Sequence, residues 1–329
     1  MRKTSFRIAI CTILLTLTVS LQAQPPAKIP RLGYVSTTGN PNNPGPNIET
    51  FKRELRELGY LEGSNLFTEY RYIDGKMDRA PQFVSELLQL KIDVLVVGGL
   101  TPVRIAKQAT TTVPIVMVTT QDPIATGLVS SMARPGGNLT GVTSLVRDLS
   151  GKRLELLKEV TPNVSRVAVL WNADEEGAAI ALKEYEAAAR VLKIELQSLG
   201  VRPHESRLDG AFQAGVKGRA NALITITGSF LSSNAKTIAD LALKTAVPSM
   251  YESYRYVQVG GLMSYSASEA ESYRRSAYYV DRILKGAKPA DLPIEQPTKF
   301  ELVINLKTAK QIGVTIPPDV LARVDRVIR

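Results

Sequence analysis

Few side chains in this sequence could make or break bonds, and those few are far apart. Asp122 sits in VTTQDPIATGLV (118–129), after a β-branched run and just before Pro123. An Asp there caps a helix by accepting from its free N–H groups, and proline suits the first helical turn. The reading is therefore a helix over PIATGLVSSM, with Asp122 as its cap and, at a cleft edge, as a ligand contact. Acid–base work would need a second group, and Glu252 is the nearest analogue at a corresponding strand end. His204, the single histidine, lies in the loop VRPHESR, and Cys11, the single cysteine, lies in an apolar N-terminal run. A Ser–His–acid triad would have to use His204, away from the strand ends where a nucleophile would stand. No carboxylates are spaced with it for zinc. No phosphate-binding G-x-x-x-x-G-K-[ST] loop, dinucleotide G-x-G-x-x-G or nucleophile elbow G-x-S-x-G occurs. The expectation is no catalytic residue, no metal and no cofactor.

The elements that position these residues belong to a chain of 329 residues, 44% hydrophobic and 22% charged. That length suits two domains and the composition suits a globular protein. MRKTSFR followed by an apolar run from Ile8 to about Leu21 reads as a secretory signal peptide over residues 1–23, cleaved after Ala23 in LQAQ. The run is short and poorly flanked for a membrane span. Ile10 before Cys11 argues against lipidation. Cleavage removes Cys11, so export without disulfides points to a bacterial periplasm. The formal charge is +10, but Lys and Arg are interspersed with acids, as in FKRELRELGY, and no basic tract or aromatic stripe indicates nucleic acid.

Apolar runs and amphipathic segments then alternate. RLGYVST (31–37), LFTEYRY (66–72), DVLVVGG (93–99) and VPIVMVTT read as strands, and helices are expected over 46–60, DRAPQFVSELLQLK and TPVRIAKQATT. This is the pattern of a parallel sheet with helices on both faces. It begins again at RVAVLWN (166–172), followed by a helix from about Glu175 to Leu192, IELQSLG, a helix near 206–218, NALITITG, a helix near 233–245, and VPSMYES. Arg31 and Arg166, Asp93 and Asn221, and Pro114 and Pro248 stand 135, 128 and 134 residues apart. Three nearly equal offsets argue for two similar α/β lobes in tandem.

Ligands of parallel α/β sheets bind beyond the carboxyl ends of the strands, and a cleft between lobes is a common small-molecule site. The candidate ligand-binding residues are Ser36, Thr37, Gly99, Thr101, Gln121 and Asp122 in the first lobe. In the second they are Trp171, Asn172, Glu175, Gly228, Ser229, Tyr251 and Glu252, with Met263 and Tyr265 from GGLMSYS (260–266). Hydroxyls and helix N-termini would hold polar or anionic groups. Trp171, Tyr251 and Tyr265 would cover a flat or apolar part, although Trp171 equally suits core packing.

Four stretches carry a resemblance: TPVRIAKQATTTVPIVMVTTQDPIATGLVSSMARPGGNLTGV (101–142), ELGYLEGSNL (57–66), KRLELLKEVTPNVSRVAVLWN (152–172) and RILKGAKPADLPIEQPTKFELVINLKTAKQIGVTIP (282–317). The chain resembles the tryptophan-binding-protein-like ABC transporter substrate-binding proteins. The resemblance implies a type I periplasmic-binding-protein fold, an α/β architecture of two Rossmann-like lobes with parallel sheets joined by a three-crossover hinge. It implies a first lobe over 30–143 plus 254–288 and a second over 144–253 plus 289–329. Hinges would lie near Thr143-Ser144, Tyr251–Tyr254 and Leu292–Gln296. It implies a periplasmic, monomeric binding protein that captures a small-molecule solute between its lobes and docks on an ABC permease in the inner membrane. Thr101 and Asp122 match the family's Thr-Pro and Asp-Pro motifs. The second lobe departs: ADEEGA (173–178) keeps Glu175 but lacks the Asn-Ser pair of the amino-acid-binding members, and Gly228-Ser229 replaces their Asp-Asn pair. Those groups hold an α-amino group, so the resemblance does not carry an α-amino acid over as ligand. Residues alone also admit a sensor that presents its ligand to a membrane receptor, and less readily an enzyme using Asp122 and Glu252 or the effector domain of a regulator.

Overall fold

The structure, a computed structural model, describes residues 28–144, 149–203 and 207–329. The expected leader, Cys11 and His204 lie outside the described residues. The first lobe runs β1 (Arg31–Ser36), α1 (Pro46–Glu57), β2 (Phe67–Tyr72), α2 (Ala80–Gln89), β3 (Val94–Gly98), α3 (Leu100–Ala109), β4 (Ile115–Thr119) and β5 (Leu139–Thr143). The strands form one parallel sheet in the order β2-β1-β3-β4-β5. All five residues of β3 are buried, as a central strand covered on both faces requires. Alternation sorts its side chains. Leu95 and Val97 pack with Val84, Leu87, Val103 and Ala106 of α2 and α3, whereas Val94 and Val96 pack with Ile48, Phe51 and Leu55 of α1.

The second lobe follows as α4 (Ser150–Val160), β6 (Arg166–Asn172), α5 (Glu176–Leu192), β7 (Glu195–Val201), α6 (Leu208–Lys217), β8 (Ala222–Thr225), α7 (Ser229–Ser233), α8 (Ala235–Lys244), β9 (Ser249–Tyr251), α9 (Tyr254–Gln258) and β10 (Met263–Ala267). After them come α10 (Glu269–Leu284), β11 (Phe300–Asn305), α11 (Leu306–Gln311), α12 (Pro318–Leu321) and β12 (Arg326–Ile328). This sheet has the order β12-β11-β10-β9-β8-β6-β7. Its stretch β7-β6-β8-β9-β10 repeats the strand order of the first sheet, and only β10 and β11 pair antiparallel. The two lobes are thus one winding used twice.

Three expectations need correction. PIATGLVSSM is not a helix: Asp122 caps a single turn, Leu128 N and Val129 N both bond to the Pro123 carbonyl, and Gly127 (φ 69°) turns the chain away. The segment 139–143, not anticipated as a strand, is β5 at the sheet edge. Residues 254–267 do not join the first lobe. β10 pairs with β9 through Met263↔Met250, and Met263 is fully buried in the second core, so apolar burial keeps this segment in the second sheet. The chain crosses instead between Ala267 and Glu269, and α10 places Ala277, Tyr279 and Val280 against α1. The return crossing lies after Glu295, which is still bonded to the first sheet by Glu295 N to Gly141 O (3.0 Å) and Thr143 N to Glu295 O (2.9 Å).

β5 lies so close to β4 that a Cβ on Gly141 (φ 133°) would come 2.6 Å from Met117 N and closer still to its carbonyl oxygen. Replacing Gly141 with Ala should cost about 3 kcal/mol, read as a lowered urea midpoint with the slope unchanged.

Candidate ligand-binding site

The carboxyl ends of both sheets face one another, and between them lies a cavity of ≈ 270 Å³. Thr37 and Thr38 follow β1, Gly99, Leu100 and Thr101 open α3, and Thr119, Thr120 and Gln121 end β4 and its turn. The second lobe contributes Asp174 and Glu175 after β6, Thr227 to Ser229 after β8, and Glu252 and Ser253 after β9. Glu269, Ser272 and Tyr273 of α10 close one side, and Leu149 and Arg153 at the start of α4 close another.

Eight of the residues expected from sequence reach this cavity: Thr37, Gly99, Thr101, Gln121, Glu175, Gly228, Ser229 and Glu252. Two others support it from behind. Ser36 donates its hydroxyl to the Thr38 carbonyl (2.6 Å), shaping the turn that presents Thr37 and Thr38. Asn172 donates from Nδ2 to Glu175 Oε1 (3.1 Å). Five do not line the cavity. Asp122 spends its Oδ1 on Ile124 N (2.8 Å) and Ala125 N (3.1 Å). Trp171 donates to Ser198 Oγ (2.8 Å) and lies over Gly200 of the neighbouring strand. Tyr251 stacks on Tyr256 with centroids 4.6 Å apart. Met263 and Tyr265 join the apolar core. The reason is shared by the last three: side chains alternate between the two faces of a strand, and these three point into a helix-covered core instead of the cleft.

Arg153 was missed, although the sequence carried a signal for it. It occupies the position that completes the buried i, i+3, i+4, i+7 stripe of Leu156, Leu157 and Val160 in α4. Its side chain is 1% exposed and meets Glu252 Oε1 at 3.1 Å. Arg153 Nε also donates to the Tyr265 carbonyl (2.7 Å), Tyr185 OH donates to Glu252 Oε1 (2.7 Å), and Thr227 N donates to Glu252 Oε2 (2.7 Å). Burial pushes the Glu252 carboxyl above its ordinary range, opposed by the Arg153 charge, the Thr227 N–H and the Tyr185 hydroxyl. The Tyr185 hydroxyl is itself raised well above its ordinary value by burial, so it is a neutral donor. Beside this network Thr227 Oγ1 is buried with no hydrogen-bond partner among the described residues.

Glu175 is the second acid with an altered environment. Burial raises its carboxyl, while Asn172 and the N–H groups of Ser229 and Phe230 hold it back. It lies directly over Gly228, where a Cβ would stand 2.7 Å from Glu175 Cδ. On α10, Glu269 accepts from Asn47 Nδ2 (2.9 Å) of the first lobe and from the Ser253 hydroxyl of the second. The site thus offers hydroxyls, carboxylates and guanidinium groups from both lobes, which suits polar recognition. Among the described residues no group of His, Cys, Asp and Glu side chains could hold a metal ion, and no helix is long and apolar enough to cross a membrane.

Residues 47–328 match the family model described as ABC transporter substrate binding protein. The chain belongs to this family. A Clostridioides difficile protein named tyrosine-binding protein is 24% identical over 262 residues, spanning 80% of this chain and 75% of its own. The crystal structure of a conserved domain protein from Vibrio cholerae superposes with a TM-score of 0.83 at 26% identity, covering 91% of this chain and 100% of that one. A Streptococcus pneumoniae ABC domain in complex with L-Trp superposes with the same TM-score at 24% identity, covering 91% and 99%. As a substrate-binding protein of the ABC transporter family, the chain binds a small molecule and is not an enzyme.

Replacing Glu252 with Gln leaves the Arg153 charge buried without its counter-ion. The expected loss is about 3–5 kcal/mol of unfolding free energy, measured by urea denaturation. Glu175 gives a pH signature. Because its folded pKa is raised from 4.5, the folded state binds the proton more tightly than the unfolded chain. Its contribution to stability therefore grows as pH falls through the folded value toward 4.5 and is lost as pH rises. Replacement with Gln should abolish this growth, so the stability difference, wild type minus variant, increases between neutral pH and about pH 4.5, followed by urea midpoints across that range.

Proposed function

We infer that the protein captures a solute of amino-acid size between its lobes and, once closed, delivers it to an ABC permease in the inner membrane. On this reading the chain works as a periplasmic monomer after removal of residues 1–23. The observation that carries it is the cavity, ≈ 270 Å³ with walls from both lobes, near the small end of the ~300–1,000 Å³ usual for ligand pockets. A ligand that touches both lobes favours the closed form over the open one, which is the differential affinity a closure mechanism requires.

The lining chemistry favours a zwitterionic or similarly polar solute. Arg104 and Arg255 line the cavity and suit a carboxylate or other anionic group. Glu175 and Glu269, each contacted by neutral donors, suit an ammonium or hydroxyl group. Among the described lining residues Tyr273 supplies the one aromatic ring, and Leu100, Leu149 and Ala267 add apolar surface. The lost amino-acid-binding pairs of the second lobe are thus offset by acids already at the site. The names of the C. difficile relative and the S. pneumoniae complex make L-tyrosine and L-tryptophan the first solutes to test.

Native mass spectrometry of the purified chain, followed by a melting screen, tests the reading. A matching solute at a hundredfold excess over its Kd should add about 2.7 kcal/mol, a rise of several degrees in the midpoint. The reading falls if no amino acid or comparable zwitterion raises the midpoint and any co-purified molecule is of another class.

A further inference from the structure

At three glycines an added side chain would meet a side chain of the other lobe. An ideal Cβ on Gly75 would stand 2.9 Å from Ser233 Oγ, one on Gly99 would stand 3.4 Å from Ser229 Oγ, and one on Gly177 would stand 2.6 Å from Gln121 Cδ. Each pair joins a residue of one lobe to a residue of the other. Gly75 (φ 75°) and Gly99 (φ 82°) also need glycine for their own backbone. Gly177 does not: it lies in the first turn of α5, where alanine is a better helix former by about 0.5–1 kcal/mol. Glycine at 177 is therefore a local cost, and what it accommodates is the side chain arriving from the other lobe.

The backbone that carries that side chain is held in place. Gln121 N donates to Thr119 Oγ1 (3.1 Å), and Thr143 Oγ1 donates to the Gln121 carbonyl (2.7 Å). The backbone of Gln121 is thus pinned between the ends of β4 and β5, and its carboxamide extends across the cleft onto α5. Both Gln121 and Gly177 line the cavity.

We propose that Gln121 and Gly177 are the closure stop of this binding protein: the carboxamide seats on the bare backbone of α5, and that fit sets how tightly the lobes shut over the solute. Both are positioning residues that govern retention of the ligand, and the proposal rests on the cleft-binding reading above. A methyl group at 177 leaves each lobe intact but meets the seated carboxamide. The lobes then stay apart or Gln121 is expelled, and the solute escapes faster.

The first experiment needs no ligand. In a Cys11→Ser background, Gln121→Cys with Gly177→Cys should form an intramolecular disulfide on mild oxidation, because Gln121 Cγ, where the sulfur of Cys would stand, lies 3.1 Å from the Cβ position at 177, close to the ~3 Å from one sulfur to the far Cβ that an S–S bond of about 2.05 Å sets. Failure to cross-link overturns the juxtaposition. The second experiment measures L-tyrosine and L-tryptophan binding by calorimetry in a double-mutant cycle. Gly177→Ala should weaken binding at least tenfold without lowering the melting midpoint of the empty protein, and should do little in a Gln121→Ala background, where no carboxamide remains to collide. Equal affinities of wild type and Gly177→Ala, or equal losses in both backgrounds, overturn the proposal. If the wild type binds neither amino acid, the ligand reading fails by itself, and the cross-link decides the closure stop alone.

Discussion

The buried ion pair of Arg153 and Glu252 ties five separate elements together at the floor of the cleft. The guanidinium comes from α4, the carboxylate follows β9, and the remaining bonds come from Tyr185 of α5, the Thr227 N–H after β8 and the Tyr265 carbonyl in β10. Charges taken out of water lose several kcal/mol of solvation each, and a pair regains that only when geometry and hydrogen bonding are good. The network meets this condition only while all five elements hold their places. The floor of the second lobe is rigid for that reason, and the loops that carry Glu175, Gly228 and Ser229 are built beside it.

On the capture mechanism proposed above, a rigid floor is one half of a device whose halves must also move. Each lobe has its own sheet and its own apolar layers, and the contacts of Glu269 with Asn47 and Ser253 and of Gln121 with Gly177 join residues that line the cavity. Glu269 shows how this works at the crossing: it heads the helix that returns to the first lobe, yet it accepts from Asn47 on one side and Ser253 on the other. Small polar groups and glycines at the facing surfaces let the lobes approach without burying apolar area that would lock them shut. On that proposal the energy of closure is left to the solute, as differential affinity for the two forms requires.

Tandem lobes were legible because burial writes its period into the chain. The central strands had to be continuous apolar runs, the helices had to be amphipathic, and the same order recurred at nearly constant spacing, so strand-end residues such as Thr37, Gly99, Thr101, Gln121, Glu175 and Glu252 could be named in advance. β5 was less visible because its run is short and contains Gly141. Arg153 sat in the pattern as a charged residue on an apolar stripe, a conflict between local polarity and burial that only a partner in another element resolves.

The sequence by itself determined the alternation of elements, the doubling of the fold and the shortage of catalytic groups, since each follows from local periodicity and residue type. Tertiary structure alone decided which strand-end side chains face the cleft. Trp171 turned toward Ser198 on the adjacent strand, Tyr251 onto Tyr256, and Met263 into the core because their directions depend on register and on neighbours distant in sequence. It also decided that residues 254–267 remain with the second sheet, and that Gly177 faces Gln121 across 56 positions of chain. Local pattern carries no record of such pairings, because they arise only when two independently wound lobes meet.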